Sequence, residues 1–438
     1  MENSIKLIKL SFVILFFSMA LSAQISKPSD LGLNALSSSE VLIRWRDNSD
    51  SETGYKIYRD DHLIKITSQN VTSYKDINLL PNHTYRYTIK ATDDAYISYY
   101  KGWKKRYLLK IDNSMSRITM GDKNNTTVSE AQGYGMLIEA LLPKGVDTDD
   151  QKIFNSLWRF SRSHPSSICK NLMNWKFDPN DVKDDDSAFD GDADIAYALI
   201  KADEKWGSDG DVDYKQEATK ILKSIWDCTI GRDSKLPLLG DWVEQDGQKY
   251  NQYSARTSDF ILGHFRKFAQ FSGDERWLDV VKASQKALQD VQDKNSGLIP
   301  DFIKKDNSGH YVAVEDGFLE ENDGDYYYNA CRVPWRLGVD VMASHDSVSK
   351  TILSKITEWI KQSSNDQAIG IKAGYRLNGD VIGEYDTKAF IAPFGVAAMA
   401  LGDRSYAEKI REYIKGNYEG YYEDTIALLS LLAMDGIY

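Results

Sequence analysis

Hydrophobic and polar residues alternate in three short segments near the start of the chain, at residues 41–45, 54–59 and 85–91. A period of two is typical of β-strands that bury one face. Stretches rich in Asn, Asp, Ser and Pro separate these segments and indicate turns. Short strands at this spacing predict a small all-β sandwich over residues 25–94.

Beyond residue 94 the apolar residues recur three and four positions apart, which is typical of amphipathic α-helices. About twelve such stretches lie between residues 99 and 432, and examples are residues 130–142, 194–206, 255–271, 278–291 and 406–413. Strands do not alternate with helices in the sequence, which argues against a parallel α/β sheet. We therefore expect a multidomain protein whose second domain, residues 95–438, is all-α, and its twelve helices would suit six hairpins closed into a ring.

Residues 1–23 have the pattern of a signal peptide. Lys6 and Lys9 precede an apolar run over residues 10–21, and Ser22 and Ala23 supply a small-residue cleavage site. The run is short for a membrane span, although an uncleaved anchor stays an alternative. We expect a secreted or periplasmic protein that is free of the membrane after cleavage, with a monomer as the default.

The net charge and the cysteine content limit the kinds of partner and bound group that can be expected. The formal net charge is −11, whereas a nucleic-acid partner would require a basic surface. The acidic balance would suit a cationic substrate, or it could serve only solubility. Cys169, Cys228 and Cys331 are too few for a disulfide framework and include no CxxC pair, so we expect apolar buried thiols, at least one of them unpaired, and neither a metal nor a cofactor.

Four segments of the helical region combine acidic residues with glycines and aromatic residues. They are residues 129–136, residues 187–199, residues 239–242 with 255–260, and residues 315–336. Structural alternatives apply to all four, and for residues 315–336 the alternative is a solvated acidic loop. Glu130 could only complement a helix N-terminus. The aspartates around Asp190 could cap a helix or, less in keeping with their spacing, bind calcium. Arg256 could simply pair with Asp259.

Taken together, these segments supply the groups that glycosidic cleavage requires. One carboxylic acid must protonate the leaving oxygen, and a second carboxylate must act on the other face of the sugar. Aromatic rings can stack on the apolar faces of pyranoses. The sequence contains no nucleotide-binding loop and no Gly-x-Ser-x-Gly motif. A polysaccharide is therefore the expected partner.

Two resemblances sharpen this interpretation. The β-rich segment resembles a fibronectin type III module in Trp45, in the strand at residues 54–59 and in Tyr85, which matches the tyrosine corner of that family. The helical region resembles glycoside hydrolase family 8. The matching motifs are residues 129–136, with Ala131 in place of a glycine, and residues 190–197, 256–260 and 329–336.

The second resemblance implies an (α/α)6 barrel and an inverting mechanism. Glu130 matches the general acid of the family, and Asp190 matches the aspartate that binds and distorts the sugar at the cleavage point. We expect further substrate contacts from Trp175, Asp241, Trp242, Arg256, Tyr328, Asn329 and Arg332.

The general base needs a separate argument, because Asn329 stands where many family members have an aspartate. An amide cannot accept a proton. A subgroup of the family with Asn at this position takes its base from a loop glutamate in a Phe-Leu-Glu context, which Phe318, Leu319 and Glu320 match. We predict Glu320 as the base, with Glu321 as the second candidate because this loop looks one residue shorter than the subgroup pattern.

That subgroup includes chitosanases, some of which also cut β-glucans, and lichenase-type enzymes. The aspartates that would give an acidic cleft suited to cationic chitosan are Asp184, Asp185, Asp186, Asp323 and Asp325. The sequence thus favours an endo-acting chitosanase. An endo-β-1,4-glucanase or lichenase is the alternative, followed by an oligoxylanase, and the loss of aspartate at position 329 leaves a non-catalytic carbohydrate-binding protein as a further possibility.

Overall fold

The computed structural model describes residues 25–49, 52–60, 62–67, 69–92, 94–180 and 185–438. The predicted signal peptide and Asp184 lie outside these residues. The chain divides into two compact units between residues 93 and 94, one residue from the boundary that the change of periodicity predicts. Within the described ranges no helix is both long and apolar enough to cross a membrane.

The first unit consists of two antiparallel three-stranded sheets. Its strands are β1 (Ser29–Ser37), β2 (Glu40–Arg46), β3 (Gly54–Arg59), β4 (His62–Ile66), β5 (Ser73–Asp76) and β6 (Tyr87–Thr92). One sheet has the order β1-β2-β5 and the other β4-β3-β6. Alternate residues of β2 and β3, namely Ile43, Trp45, Tyr55 and Ile57, form one buried cluster drawn from both sheets, as the period of two predicts.

Tyr85 makes the contact expected of a tyrosine corner. Its hydroxyl accepts a hydrogen bond of 2.9 Å from the backbone N–H of Leu80, five residues upstream. This contact agrees with the resemblance to fibronectin type III modules, and the assignment to that family stays a prediction.

The second unit is built mainly from helices. In its described residues these are α1 (Ala95–Tyr107), α2 (Ser129–Leu141), α3 (Asp150–Ser163), α4 (Phe189–Trp206), α5 (Tyr214–Thr229), α6 (Leu262–Ser272), α7 (Arg276–Val291), α8 (Val333–Ser344), α9 (Ser347–Ser363), α10 (Lys388–Leu401), α11 (Arg404–Ile414) and α12 (Tyr421–Met434). The even-numbered helices contact one another in order, and α12 contacts α2 again. Each odd-numbered helix packs against one of them.

The two sets of helices differ in how they are buried. The segments of α10 and α12 are apolar on most sides and almost completely buried, whereas α3 and α11 bury a single face. A helix that is apolar all round belongs inside a fold, and an amphipathic one belongs at its surface. Six inner helices therefore form a closed ring inside six outer ones, which is consistent with the expected (α/α)6 barrel.

Short strands occur in the loops between the helices. They are β7 (Leu108–Lys110), β8 (Ser116–Ile118), β9 (Thr127–Val128), β10 (Lys176–Phe177), β11 (Ser254–Arg256), β12 (Phe302–Lys305) and β13 (Tyr311–Ala313). The predicted helix at residues 255–271 is wrong at its start, because β11 pairs with β12. Thr257 also donates from its backbone and its hydroxyl to the carbonyls of Asp301 and Pro300, so the helix begins only at Leu262.

Two of the three cysteines form a disulfide. Cys169 is bonded to Cys228, which lies 59 residues further along the chain, and Cys331 is free and buried. The expectation of apolar thiols is therefore wrong for the first pair, whose wide spacing carries no local motif. The bond attaches the loop between α3 and α4 to the last turn of α5.

Helices α2 and α4 touch at two glycines. A Cβ atom on Gly191 would lie 2.3 Å from Oγ of Ser129, and one on Gly133 would lie 2.9 Å from the carbonyl oxygen of Gly191. Gly133 belongs to the segment at residues 129–136. Its position at a close contact of two helices accounts for a glycine inside a helix, where glycine lowers stability. This contact brings the first turns of α2 and α4 side by side.

We expect Gly191→Ala to lower the free energy of unfolding by at least about 1–3 kcal/mol, since the added methyl group must separate two packed helices. Urea denaturation would measure the loss. Gly210→Ala is the matched control, because a Cβ atom there meets nothing within 4 Å. Equal stability of the two variants would contradict the contact.

Removal of the disulfide by Cys169→Ser with Cys228→Ser should cost about 4 kcal/mol of unfolding free energy, the loop-closure value for a crosslink of this span. Denaturation with and without dithiothreitol would test it. The reductant should bring the wild type to the level of the double variant and leave the variant unmoved, and a wild type indifferent to reduction would argue against the bond.

Candidate active site

A cleft of about 260 Å³ lies where four inner helices begin. Its lining includes Glu130 in the first turn of α2, Asp190 in the first turn of α4, Arg332 just before α8 and Tyr421 at the start of α12. Helix N-termini favour negative charge. The remaining lining residues are Met120, Val128, Ser129, Trp175, Ala188, Arg256, Asn329 and Tyr422.

Arg332 joins the two carboxylates. Its Nη1 donates to Oε2 of Glu130 at 2.6 Å and to Oδ2 of Asp190 at 2.9 Å. Its Nη2 donates to Oγ of Ser258 at 2.9 Å and to Oδ1 of Asn329 at 3.2 Å. The side chain is only 3% exposed, so its orientation is fixed by these partners.

The two carboxyl groups have opposite pKa shifts. Burial raises the pKa of Glu130 to about 7 against the attraction of Arg332, and the charge of Asp190 adds to the rise. Burial would also raise the pKa of Asp190, but Arg256 and Arg332 outweigh it and hold that pKa below its ordinary value. Near neutral pH the pair can thus offer one protonatable acid beside one ionised carboxylate.

Arg256 approaches Asp190 from a second side, with Nη1 at 3.4 Å from Oδ2. The same nitrogen lies 3.7 Å from Oδ1 of Asp259, so the ion pair expected from their spacing is confirmed. Both Asp259 oxygens are buried without a hydrogen-bond partner, and burial raises the pKa of this carboxyl to about 7.

Asn329 is held by a residue that the sequence analysis does not single out as functional. Asp301 is buried, and its carboxylate accepts the backbone N–H groups of Tyr327, Asn329 and Ala330 at 2.7–2.9 Å. It also accepts the side-chain amide of Asn329 at 3.1 Å. The stretch Gly-Leu-Ile-Pro-Asp-Phe at residues 297–302, a further short match to the family 8 pattern, was the available signal. It contains the carboxylate that holds Asn329 in the cleft lining.

The predicted site residues divide into two groups. Trp175, Asp190, Arg256, Asn329 and Arg332 line the cleft with Glu130. Asp241, Trp242, Tyr328 and the predicted base Glu320 do not belong to this lining.

Asp241 holds loops together instead. Its Oδ2 accepts the Ser166 hydroxyl at 2.5 Å and the N–H of Cys169 at 3.1 Å, and its Oδ1 accepts the N–H of Ser187 at 2.8 Å. Trp242 packs beside a buried apolar cluster that includes Leu239 and Phe302. In this structure both residues therefore stabilise the loops around the cleft and do not line it.

Tyr328 lies next to the lining rather than in it. Its carbonyl accepts a hydrogen bond of 2.5 Å from the hydroxyl of Tyr422, and its own hydroxyl lies 3.0 Å from that of Tyr385.

The sequence analysis does not identify Tyr421 and Tyr422 as residues of the site, although two adjacent aromatic residues at a helix start are visible in the sequence. The hydroxyl of Tyr421 donates to Oε1 of Glu130 at 3.3 Å.

The loop with the two candidate bases is fastened by Asp323. The Oδ2 atom of this buried residue accepts the N–H groups of Leu319 and Glu320 at 2.7 and 2.8 Å. Glu320 and Glu321 are both exposed. The backbone of the loop is thereby fixed while both carboxylates stay accessible.

The other aspartates of the second motif have separate partners. Asp192 accepts the N–H of Met173 at 2.8 Å. Asp194 pairs with Arg336 at 2.6 Å and with His264 at 2.9 Å. Burial lowers the pKa of His264 to about 4. The three aspartates thus serve three different contacts and do not converge as calcium ligands would.

Comparison with known proteins identifies the family of the chain. The family model for glycosyl hydrolases family 8 matches residues 82–436. The chain belongs to this family. As a glycoside hydrolase of family 8, it is similar to a β-glucanase and to several endoglucanases.

Three of these relatives show the degree of similarity. A β-glucanase of Niallia circulans is 34% identical over 372 residues, which are 83% of this chain and 89% of that protein. An endoglucanase of Bacillus sp. strain KSM-330 is 34% identical over 384 residues, 82% of this chain and 78% of that protein. The apo structure of a β-1,3-1,4-glucanase from Paenibacillus sp. X4 is 35% identical and has a TM-score of 0.76, covering 79% of this chain and 92% of that one.

If Glu130 acts as the acid, kcat/KM on a soluble polysaccharide should fall as the pH rises through about 7, because the protonated form is lost. Asp190→Asn should move this alkaline limb to lower pH by roughly one unit, since it removes a negative charge that raises the pKa of Glu130. A full pH profile of kcat/KM would measure the shift. Asp185→Asn, at an exposed position, is the control, and an alkaline limb that moves upward in the Asp190 variant would refute the coupling.

Proposed function

We propose that this protein is an exported, endo-acting β-glucanase that cleaves β-1,4 bonds with inversion. The observation that carries the proposal is the pairing of Glu130, whose pKa is raised, with ionised Asp190 on the same guanidinium nitrogen. A glycosidase requires such a protonated acid next to groups that bind the sugar at the bond to be cut.

Neutral glucan is the substrate best supported. The three relatives described above are named as a β-glucanase, an endoglucanase and a β-1,3-1,4-glucanase, and only the last name specifies linkages. We propose mixed-linkage β-glucan as the preferred polymer and cellulose-type chains as the second.

The charges around the cleft favour this choice over the chitosan that the sequence favours. Asp325 is paired with Arg376 at 3.1 Å, and Asp323 is engaged by loop N–H groups. Both side chains are also buried, so neither is accessible to an ammonium group. The two carboxylates that line the cleft already face Arg256 and Arg332, so a glucosamine unit would bring a third positive charge close to two guanidinium groups.

For the general base we propose Glu320. Burial lowers the pKa of Arg256, but Asp259 and Asp190 outweigh it, and Glu320 adds to the resulting rise. The charge of Glu321 acts on Tyr327 instead. Glu320 therefore acts on an arginine of the cleft lining, and this interaction supports it as the base.

In the proposed reaction Glu130 gives its proton to the glycosidic oxygen as the bond breaks. Glu320 removes a proton from the water that attacks the opposite face of the sugar, so the anomeric configuration inverts. Asp190 hydrogen-bonds the sugar at the cleavage point. Arg332 keeps Glu130 and Asp190 at a fixed spacing through its hydrogen bonds to both carboxylates.

Export is part of the proposal. The signal-peptide pattern at residues 1–23 supports it, and so does the disulfide between Cys169 and Cys228, because structural disulfides persist in oxidising compartments.

A substrate panel tests the polymer. Purified protein should release reducing ends from barley β-glucan and carboxymethylcellulose much faster than from soluble chitosan, with Glu130→Gln as the inactive control. Activity confined to chitosan would overturn the glucanase proposal. Binding without turnover on every polymer would favour the non-catalytic alternative.

Glu320→Gln should lower kcat on β-glucan by about 10²–10⁴-fold, as expected for a lost general base. Glu321→Gln is its matched neighbour and should keep near wild-type activity. Proton NMR of early products should show the α-anomer, and retention of configuration would exclude the mechanism. A reversed result, with only the Glu321 variant inactive, would transfer the role to Glu321.

A further inference from the structure

Tyr385 is an exposed aromatic residue in the loop between α9 and α10. It is 52% exposed, and among the residues that the structure describes no other Phe, Tyr or Trp is exposed to this degree. Single exposed apolar residues are common on proteins. Exposure alone therefore says little, and the surroundings of Tyr385 decide its meaning.

The residue is fixed rather than loosely attached. The carbonyl of Tyr385 accepts the N–H of Ala373 at 2.9 Å, and its hydroxyl lies 3.0 Å from the hydroxyl of Tyr328. One hydrogen bond thus holds the backbone and a second holds the end of the ring. An aromatic face held in this way loses little conformational freedom when a ligand covers it.

A continuous strip of aromatic residues connects Tyr385 to the cleft. The ring of Tyr328 packs on Tyr422 and Phe390, with centroids 6.1 and 5.0 Å apart. Tyr422 lines the cleft, as does Asn329, the residue after Tyr328. The exposed ring is therefore only one side chain away from the wall of the cleft.

The chemistry of the strip suits an uncharged sugar. A pyranose presents a face of C–H groups that can cover an aromatic ring, and its hydroxyls stay in water. Of the two acidic residues adjacent to Tyr385 in the sequence, Asp386 faces Lys372 at 3.6 Å and Glu384 is exposed. The hydroxyl of Tyr385 is already engaged by Tyr328, so the ring face is what remains for a ligand.

We propose that Tyr385 is the platform of an outer sugar subsite, which binds a glucosyl unit of the β-glucan chain beyond those held in the cleft. This inference rests on the proposed function. With this subsite, the affinity for long glucan chains depends on a residue that takes no part in bond cleavage.

Cello-oligosaccharides of different length test the subsite. Tyr385→Ala should raise KM for cellohexaose at least fivefold while kcat stays within twofold, and KM for cellotriose should stay within twofold. Tyr385→Phe keeps the ring and should resemble the wild type. Ile369→Ala, which truncates an apolar side chain that is 68% exposed, is the surface control. An equal change for both oligosaccharides, or none for either, would overturn the proposal.

A binding experiment separates this inference from the proposed function. Calorimetric titration of cellohexaose into Glu130→Gln protein should give a Kd that rises at least fivefold when Tyr385→Ala is added. If the wild type cleaves no β-glucan, the glucanase proposal fails, and this titration still decides on Tyr385. An unchanged Kd, or no binding of cellohexaose by either protein, would overturn the subsite.

Discussion

The contact of α2 with α4 at Gly133 and Gly191 is the constraint on which the site depends. Because no side chain separates the helices there, their first turns lie next to each other, and each turn carries one acidic residue of the floor. The two carboxylates are then close enough to share Nη1 of Arg332. A larger residue at either glycine would separate them, and one guanidinium could no longer reach both.

Electrostatics then gives the two acids different properties. Both lie at helix N-termini, Asp190 is buried and the Glu130 side chain is only 14% exposed, so the helix dipole and the lost hydration act on each. Asp190 faces two arginines, Arg256 and Arg332, and stays ionised, whereas Glu130 faces one and has the higher pKa. The number of guanidinium partners thus separates the roles, and the buried charge of Arg332 is tolerated because it has several acceptors.

Local patterns predicted the elements and the motif residues well. The alternation at residues 54–59 coincides with β3, and the family motifs led to Glu130, Asp190 and Arg332, which the structure brings together. Other features depend on residues far apart in the chain. The disulfide, the four N–H groups around Asp301 and the loop contacts of Asp241 arise only after the helices pack. A sequence motif identifies residues, but it does not show whether their side chains contact a ligand or hydrogen-bond to the backbone of a loop.

Asp323 has one further consequence. The acid of the proposed reaction is carried by an inner helix, whereas its proposed base is carried by a loop. Asp323 fastens this loop through two N–H groups, and Tyr250 fastens it through a hydrogen bond to the carbonyl of Phe318. Changes in that loop need not disturb the packing of the barrel. Evolution could therefore exchange the base, its position or the bound polymer by replacing a short insertion, while the proton donor is inherited unchanged. Protein engineers could use the same boundary to graft loops between enzymes of this fold.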